Sequence, residues 1–241
     1  MEFLWVPGAV RLWACATETS VGEFRKFADS AKCDATAEMT SVTGKGLQKL
    51  GHSWNNVGFQ QGENYPVVGV NWSDANQFCV WLTELEHKNG RLAAAQRYRL
   101  PLLAEWQLLA GGHRFPWGDG EPGKVPVGNF SGKEVRGSSW PAPWPILEGY
   151  DDKFPRTAPV RVEQFKNPLG YYNLGGNAAE WSLDYYLCGG SWADGEDDGL
   201  QFLRTSSARK VDSKEAAKRD DRNGFRLVIV DEMPGRTGAK P

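Results

Sequence analysis

An α+β fold of irregular, loop-rich build is predicted by three observations. Three short helical patterns stand apart, separated by polar stretches rather than packed in series. Strand-like runs lie near both ends of the chain. The 241 residues also include 28 Gly and 11 Trp, which suggests that aromatic slabs fill space that regular elements would otherwise occupy.

Taken in order, Val10 to Thr17 reads as a strand that delivers the chain to Ser20-Val21-Gly22-Glu23. That tetrad is a capping box, with Ser20 as N-cap and Glu23 reaching back to its amide. Phe24 and Phe27 recur at helical spacing, so a short helix runs to about Ser30. Residues 31–65 are polar, Gly-rich and dotted with aromatics, and read as one long ordered loop. Pro66 to Trp72 reads as a short buried strand. Ser73 is the expected N-cap of a second helix, with Asp74 at its positive end. Ala75, Phe78, Cys79, Leu82 and Leu85 form its apolar stripe, and Gly90 its stop. A third helix is expected from Leu102 to Ala110, with Pro101 before it and Gly111-Gly112 after it. Phe225 to Val230 reads as a final strand. No repeat or linker divides the chain, so residues 1–230 are expected to form a single domain and residues 231–241 a flexible tail.

Composition excludes some classes of function. Net charge is −2, which offers no bulk attraction to nucleic acid or anionic membrane. No apolar run of about 18 residues is present to span a bilayer. The start, Met1 to Pro7, lacks a basic segment and does not read as a signal peptide. Cys15, Cys33, Cys79 and Cys188 are scattered without zinc-type spacing, so they read as free thiols in a reducing cytoplasm. A cytoplasmic location is therefore expected.

The most informative run is Leu174-Gly175-Gly176-Asn177-Ala178-Ala179-Glu180-Trp181, followed by Gly189-Gly190-Ser191-Trp192 and Asn223-Gly224-Phe225-Arg226. With Glu18 to Phe24, Pro66 to Ala75, Tyr98 to Trp106, Phe115 to Gly118, Thr157 to Val160 and Asn167 to Tyr172, these blocks resemble the formylglycine-generating-enzyme (sulfatase-modifying-factor) family. They stand in the family's order over Phe3 to Val230. The resemblance implies a variant of the C-type lectin fold.

It also implies two structural calcium sites. The first would use the Asn129 side chain, the Phe130 carbonyl, the Asp152 carboxylate and the Phe154 carbonyl. The second would use the Gly175, Gly176 and Ala178 carbonyls with the Glu180 carboxylate. All donors are oxygens, as a hard cation prefers. Lys153 stands where the family usually has Gly, and Ala179 where it usually has Trp; neither change removes a ligand.

Catalysis is not implied. Active members carry a cysteine pair shortly after the Gly-Gly-Ser block, and the matching positions fall near Asp194 and Gly199. Neither residue supplies the thiolate that copper requires. A related branch uses a three-His iron centre, but His52, His87 and His113 show no pairing that would build one. No copper or iron is expected, and a noncatalytic binding module is the leading expectation.

Its ligand face is placed on residues 193–223, with Trp192, Asp194, Glu196, Asp197, Asp198, Gln201, Phe202, Arg204 and Arg209 as candidate contacts and a protein or peptide as ligand. The fold also resembles variable proteins of diversity-generating retroelements, in which adenine randomisation of AAC or AAT codons cannot produce Lys, Glu, Gln, Met or Trp. On that reading Glu196, Gln201, Lys210, Lys214, Glu215 and Lys218 are fixed scaffold, while Ala193, Asp194, Asp197, Asp198, Phe202, Thr205 and Ser207 are of permitted kinds. Family domains are also found fused behind kinases or proteases, so a regulatory role beside such a partner is the alternative; a formylglycine-generating oxidoreductase is a further one. No nucleic-acid or membrane partner is expected.

Overall fold

The computed structural model describes residues 1–30, 36–137, 139–196 and 200–231. Two four-stranded sheets and a hairpin are stitched together by long loops. Strands β1 (Phe3–Trp5) and β2 (Leu12–Cys15) pair antiparallel, and helix α1 (Val21–Ser30) follows. The Ser20 capping box is present: the Glu23 carboxylate accepts from the Ser20 amide at 2.9 Å, and Ser20 Oγ accepts from the Glu23 amide at 3.3 Å.

The loop expected over 31–65 instead holds a hairpin, β3 (Thr40–Thr43) and β4 (Gly46–Lys49), closed at Gly44-Lys45. Short strands with one or no alternating apolar residue give little periodic signal. Pro66 to Trp72 is not a strand. Val67, Val68 and Val70 are buried, but a single bridge from Ser20 to Pro66 is its only ladder contact among the described residues.

Helix α2 (Trp72–Lys88) is capped by Asn71 rather than Ser73. Asn71 Oδ1 accepts from the Asp74 amide at 2.8 Å, and Asp74 Oδ2 accepts from the Asn71 amide at 3.0 Å. Tertiary contacts favour this choice, because the Asn71 side chain also donates to the Ala217 carbonyl and Asp74 is ion-paired to Arg219. The stripe is buried at Ala75, Phe78 and Cys79 and half-buried at Leu82 and Leu85. Strand β5 (Gln96–Arg99) and helix α3 (Leu103–Ala110) come next, with Gly111 closing α3.

From residue 111 to 178 the chain is almost all loop, pinned by a ladder of rings. Phe115, Trp117, Phe130 and Tyr150 stack in succession at 4.3–5.8 Å. The second sheet is built from β6 (Ala179–Trp181), β7 (Tyr186–Cys188), β8 (Ala208–Lys210) and, after the short helix α4 (Ser213–Ala216), β9 (Asn223–Gly224), in the order β8-β7-β6-β9. The final strand β10 (Val228–Asp231) is shorter than expected and lies between β2 and β5 in the first sheet, so the chain's two ends close one sheet. Asp231 therefore belongs to the domain, and the expected tail at 232–241 lies outside the described residues.

The main core joins α1, α2 and both sheets through Phe24, Phe27, Phe78, Trp181 and Phe225. Among the described residues no helix is long and apolar enough to cross a membrane.

Candidate ligand cleft and cation sites

The second sheet and residues 190–194 and 202–215 line a cleft of about 340 Å³. Ala179, Leu187 and Asn223 form its floor, Ser191 and Asp194 one end, and Phe202, Ser207, Arg209 and Glu215 its rim. Arg209 pairs with Glu215 across that rim. Ser191-Trp192-Ala193-Asp194 is a tight turn. The Asp194 carboxylate accepts from the Ser191 amide at 2.6 Å and from its hydroxyl at 2.8 Å. The next residue must be glycine: a Cβ on Gly195 would lie 2.3 Å from the Pro145 carbonyl oxygen, so the turn sits directly on the 131–145 loop. Burial pushes the Asp194 carboxyl up, and Arg222 nearby pulls it back.

The expected contacts divide into three groups. Glu196, Gln201, Phe202 and Arg209 are exposed, and of these Phe202 and Arg209 line the cleft. Arg204 is half-buried and Asp194 serves the turn as much as the cleft. Trp192 is corrected outright. It is 1% exposed, and its indole N–H donates to the Asp221 carbonyl at 3.0 Å. A tryptophan with its one donor satisfied inside the protein is core, not an anchor for a partner. Ala193 and Thr205 are buried too. Arg219 is likewise structural, forming a two-bond pair with Asp74 at 2.8 Å. Asp197, Asp198 and Gly199 lie outside the described residues, as does Cys33.

Where the resemblance puts the first reactive thiol, the cleft holds Asp194. Cys188 is fully buried beneath the sheet with its thiol pushed up by burial and by Glu180, the reverse of the shift that makes a cysteine reactive.

The first expected cation site has a donor set suited to a hard ion. Asn129 is fully buried. Its Nδ2 donates to the Arg156 carbonyl and to Asn177 Oδ1, and its Oδ1 has no hydrogen-bond partner. Asp152 accepts from the Phe130 and Phe154 amides at 3.0 and 2.8 Å. Burial and the neighbouring Glu134 push its carboxyl up to about 8, and it has no ion-pair partner among the described residues. Lys133 and Lys153 both go to Asp151 instead. Lys153 sits at φ 75°, which explains why glycine is usual there. Glu134, which the sequence did not single out, adds a second bare oxygen, Oε2. It lies on a three-residue turn with no motif to mark it.

The second expected site does not fit in the same way. Glu180 Oε1 accepts from Arg226 Nη2 at 2.6 Å, while Oε2 accepts from Arg226 Nε at 2.6 Å and Trp106 Nε1 at 2.8 Å. Both partners of this ion pair are essentially inaccessible. The carboxylate is saturated by donors, so assigning Glu180 as a cation ligand is corrected to an ion-pair role. Around it Asn173 and Asn177 donate to Glu18, and Ala178 donates its amide to the same carboxylate. Gly176, at φ 94°, lets the Asn177 loop lie against Asn129, whose carbonyl would meet a Cβ at 2.1 Å. Gly175 and Ala178 share this buried loop, which a network of side-chain amides already ties down.

Comparison with known proteins agrees with this architecture. The sulfatase-modifying factor enzyme 1-like domain model matches residues 11–230. The inactive C-alpha-formylglycine-generating enzyme 2 of Bos taurus is 27% identical over 184 residues, 71% of this chain and 52% of that protein; the chain thus spans about half the length of this relative. PvdO from Pseudomonas aeruginosa shares the fold with a TM-score of 0.64 at 20% identity, over 91% of this chain and 80% of that one. Treponema denticola variable protein 1 does so with a TM-score of 0.52 at 17% identity, over 90% and 84%. By the extent and order of the match, the chain belongs to the sulfatase-modifying factor enzyme 1-like family, with the α+β, C-type-lectin-like fold of its members.

Proposed function

We propose that this chain is a noncatalytic binding module whose ligand, a protein or peptide, docks in the cleft formed by Phe202, Ser207, Arg209 and Glu215 over the second sheet. The observation that carries this reading is the exchange at the head of the cleft. A hydrogen-bonded aspartate, Asp194, stands near where the resemblance implies a reactive thiol, and Cys188 is buried. A half-exposed aromatic beside a charged rim is the composition of a recognition surface. The likeness to an inactive relative and to a variable protein supports it. Asp194, Phe202 and Ser207 in the cleft are of kinds that adenine randomisation allows, so diversification of this face by a retroelement is part of the proposal. A template repeat and a reverse transcriptase beside the gene are the expected accompaniment; their absence removes that part alone.

Calcium is proposed at Asn129 and Asp152, where a divalent ion would compensate the buried carboxylate and tie the 129–154 loops together. Its role there is structural. A reducing, cytoplasmic setting accords with the free thiols of Cys15, Cys79 and Cys188.

The test of the noncatalytic reading is direct. A Cys-x-Pro-x-Arg peptide incubated with the protein and copper(I) is expected to keep its thiol unchanged by mass. Conversion to the aldehyde overturns the reading. The test of the cleft is a peptide-display selection on the wild-type protein. Selected peptides are expected to lose binding to Phe202→Ala and Arg209→Ala; retention by both moves the ligand face elsewhere.

A further inference from the structure

A second cleft, of about 380 Å³, opens between the β3–β4 hairpin and the 52–59 loop. It shares no lining residue with the first. Val42, Leu50, Val57 and Phe59 contribute apolar walls, Asp221 and Arg156 supply opposite charges, and the exposed Lys45 and the His52 ring also line the cleft. Asp221 is 1% exposed. Its Oδ2 accepts from the Val42 amide at 2.9 Å, and its Oδ1 is buried with no hydrogen-bond partner. The Arg156 guanidinium lies over the Trp192 ring, 4.6 Å from its centroid. Its Nη2 donates to the Ser139 carbonyl at 3.3 Å, and its Nη1 is buried without a partner. No ion pair joins the two side chains, although each feels the other's charge and both line the same cleft.

Two opposite charges, each holding back one bare polar atom, limit what completes them. An unpaired buried charged group is expensive, so each calls for a counterpart. A simple anion satisfies Arg156 but is repelled by Asp221. A simple cation has the opposite difficulty. A dipolar ion answers both at once, and charge-assisted hydrogen bonds to both ends are the strong kind. The cleft is at the small end of ligand sites, and Val42, Leu50, Val57 and Phe59 give it an apolar wall beside the polar groups of Ser41, Thr43, Gln48 and Ser139. We infer that this cleft binds a free α-amino acid with an apolar side chain, its carboxylate on Arg156, its ammonium on Asp221 and its side chain against Val57 and Phe59. The carboxyl of Asp221 supports this reading, since burial and the neighbouring Asp220 push it up to about 7, and an incoming ammonium reverses that shift.

Calorimetric titration at pH 8 tests the inference on the intact chain. The probes are leucine, valine and phenylalanine, together with leucinamide, which lacks the carboxylate, N-acetyl-leucine, which lacks the ammonium, and acetamide. Binding by at least one free amino acid is expected, with the matching blocked forms weaker by about tenfold or more. Asp221→Asn keeps an acceptor for the Val42 amide and Arg156→Gln keeps a donor. Both are expected to retain the wild-type circular dichroism spectrum and to lose affinity by about tenfold. Phe202→Ala, in the other cleft, is expected to bind as wild type, which separates failure of this site from failure of the ligand face. No heat from any free amino acid up to about 10 mM, equal binding of leucine and leucinamide, or wild-type affinity in both variants overturns the inference.

Discussion

Replacing Glu180 with alanine is expected to destabilise the fold through Arg226, with or without calcium. Arg226 has no exposed surface, its two hydrogen bonds to the Glu180 carboxylate are both 2.6 Å, and its other acceptors are the carbonyls of Cys15, Ala16 and Tyr172 at 3.2, 3.4 and 2.8 Å. Removing one partner of such a buried pair costs about 3–5 kcal/mol, because the other charge stays buried and uncompensated. The Trp106 N–H loses its acceptor as well, adding about 1 kcal/mol. Glu18 offsets part of this. Its carboxyl is pushed up to about 8 by burial and by Glu180, so removing Glu180 lets it ionise toward Arg226. For a domain of this length each kcal/mol lowers Tm by about 2–4 °C, so a fall of roughly 6–20 °C is expected. The assay is thermal and urea denaturation in calcium and in chelator, followed by tryptophan fluorescence. A Glu180→Leu, Arg226→Met double variant is expected to recover most of the loss, since apolar replacement of a buried pair is often close to neutral. A loss below about 1 kcal/mol, or one that disappears in chelator, refutes the ion-pair assignment and returns Glu180 to the cation.

Three further outcomes follow from the same geometry. Calcium is expected to raise Tm of the wild type by mass action, and Asn129→Ala or Asp152→Asn to abolish most of that rise; identical melting curves in calcium and chelator, on protein shown to be metal-free, refute the first cation site. Trp192→Ala is expected to cost about 3–5 kcal/mol as a core truncation, whereas Phe202→Ala, half-exposed on the rim, is expected to cost less than about 1 kcal/mol; equal losses in urea melts place both in the core. Asp221 makes stability depend on pH: with its folded carboxyl raised to about 7 from an ordinary 3.8, the unfolded chain releases its proton first, so stability falls as pH rises from about 4 to 7 and that contribution levels off above. Asp221→Asn is expected to flatten that part of the profile, and an unchanged slope in urea melts across the range refutes the assignment.

The elements legible in the sequence are those whose causes are local. The Ser20–Glu23 box, the α2 stripe with Gly90, and the Pro-to-Gly bracket of α3 each depend on residues within a few positions of one another, where propensity and capping act. The ordered blocks from Glu18 to Arg226 were equally readable, because the close backbone approach at Gly176 and the packing of Trp106 and Trp181 demand particular residue types. That the resemblance implies a thiol near Asp194 was readable from position in the sequence. Only the tertiary structure decided the rest. Asn71 caps α2 in place of Ser73 because Ala217 and Arg219, about 145 residues away, hold Asn71 and Asp74. Glu180 meets Arg226 from 46 residues away, and Asp221 meets Val42 from 179, so their electrostatic surroundings have no sequence signature. Trp192 and Phe202 are both aromatic residues in one segment, yet one is sealed under Arg156 and the other is open to the cleft. Residue type and local spacing set what a segment is able to form; which charges are paired, which oxygens stay bare and which rings face outward depends on distant chain arriving against it.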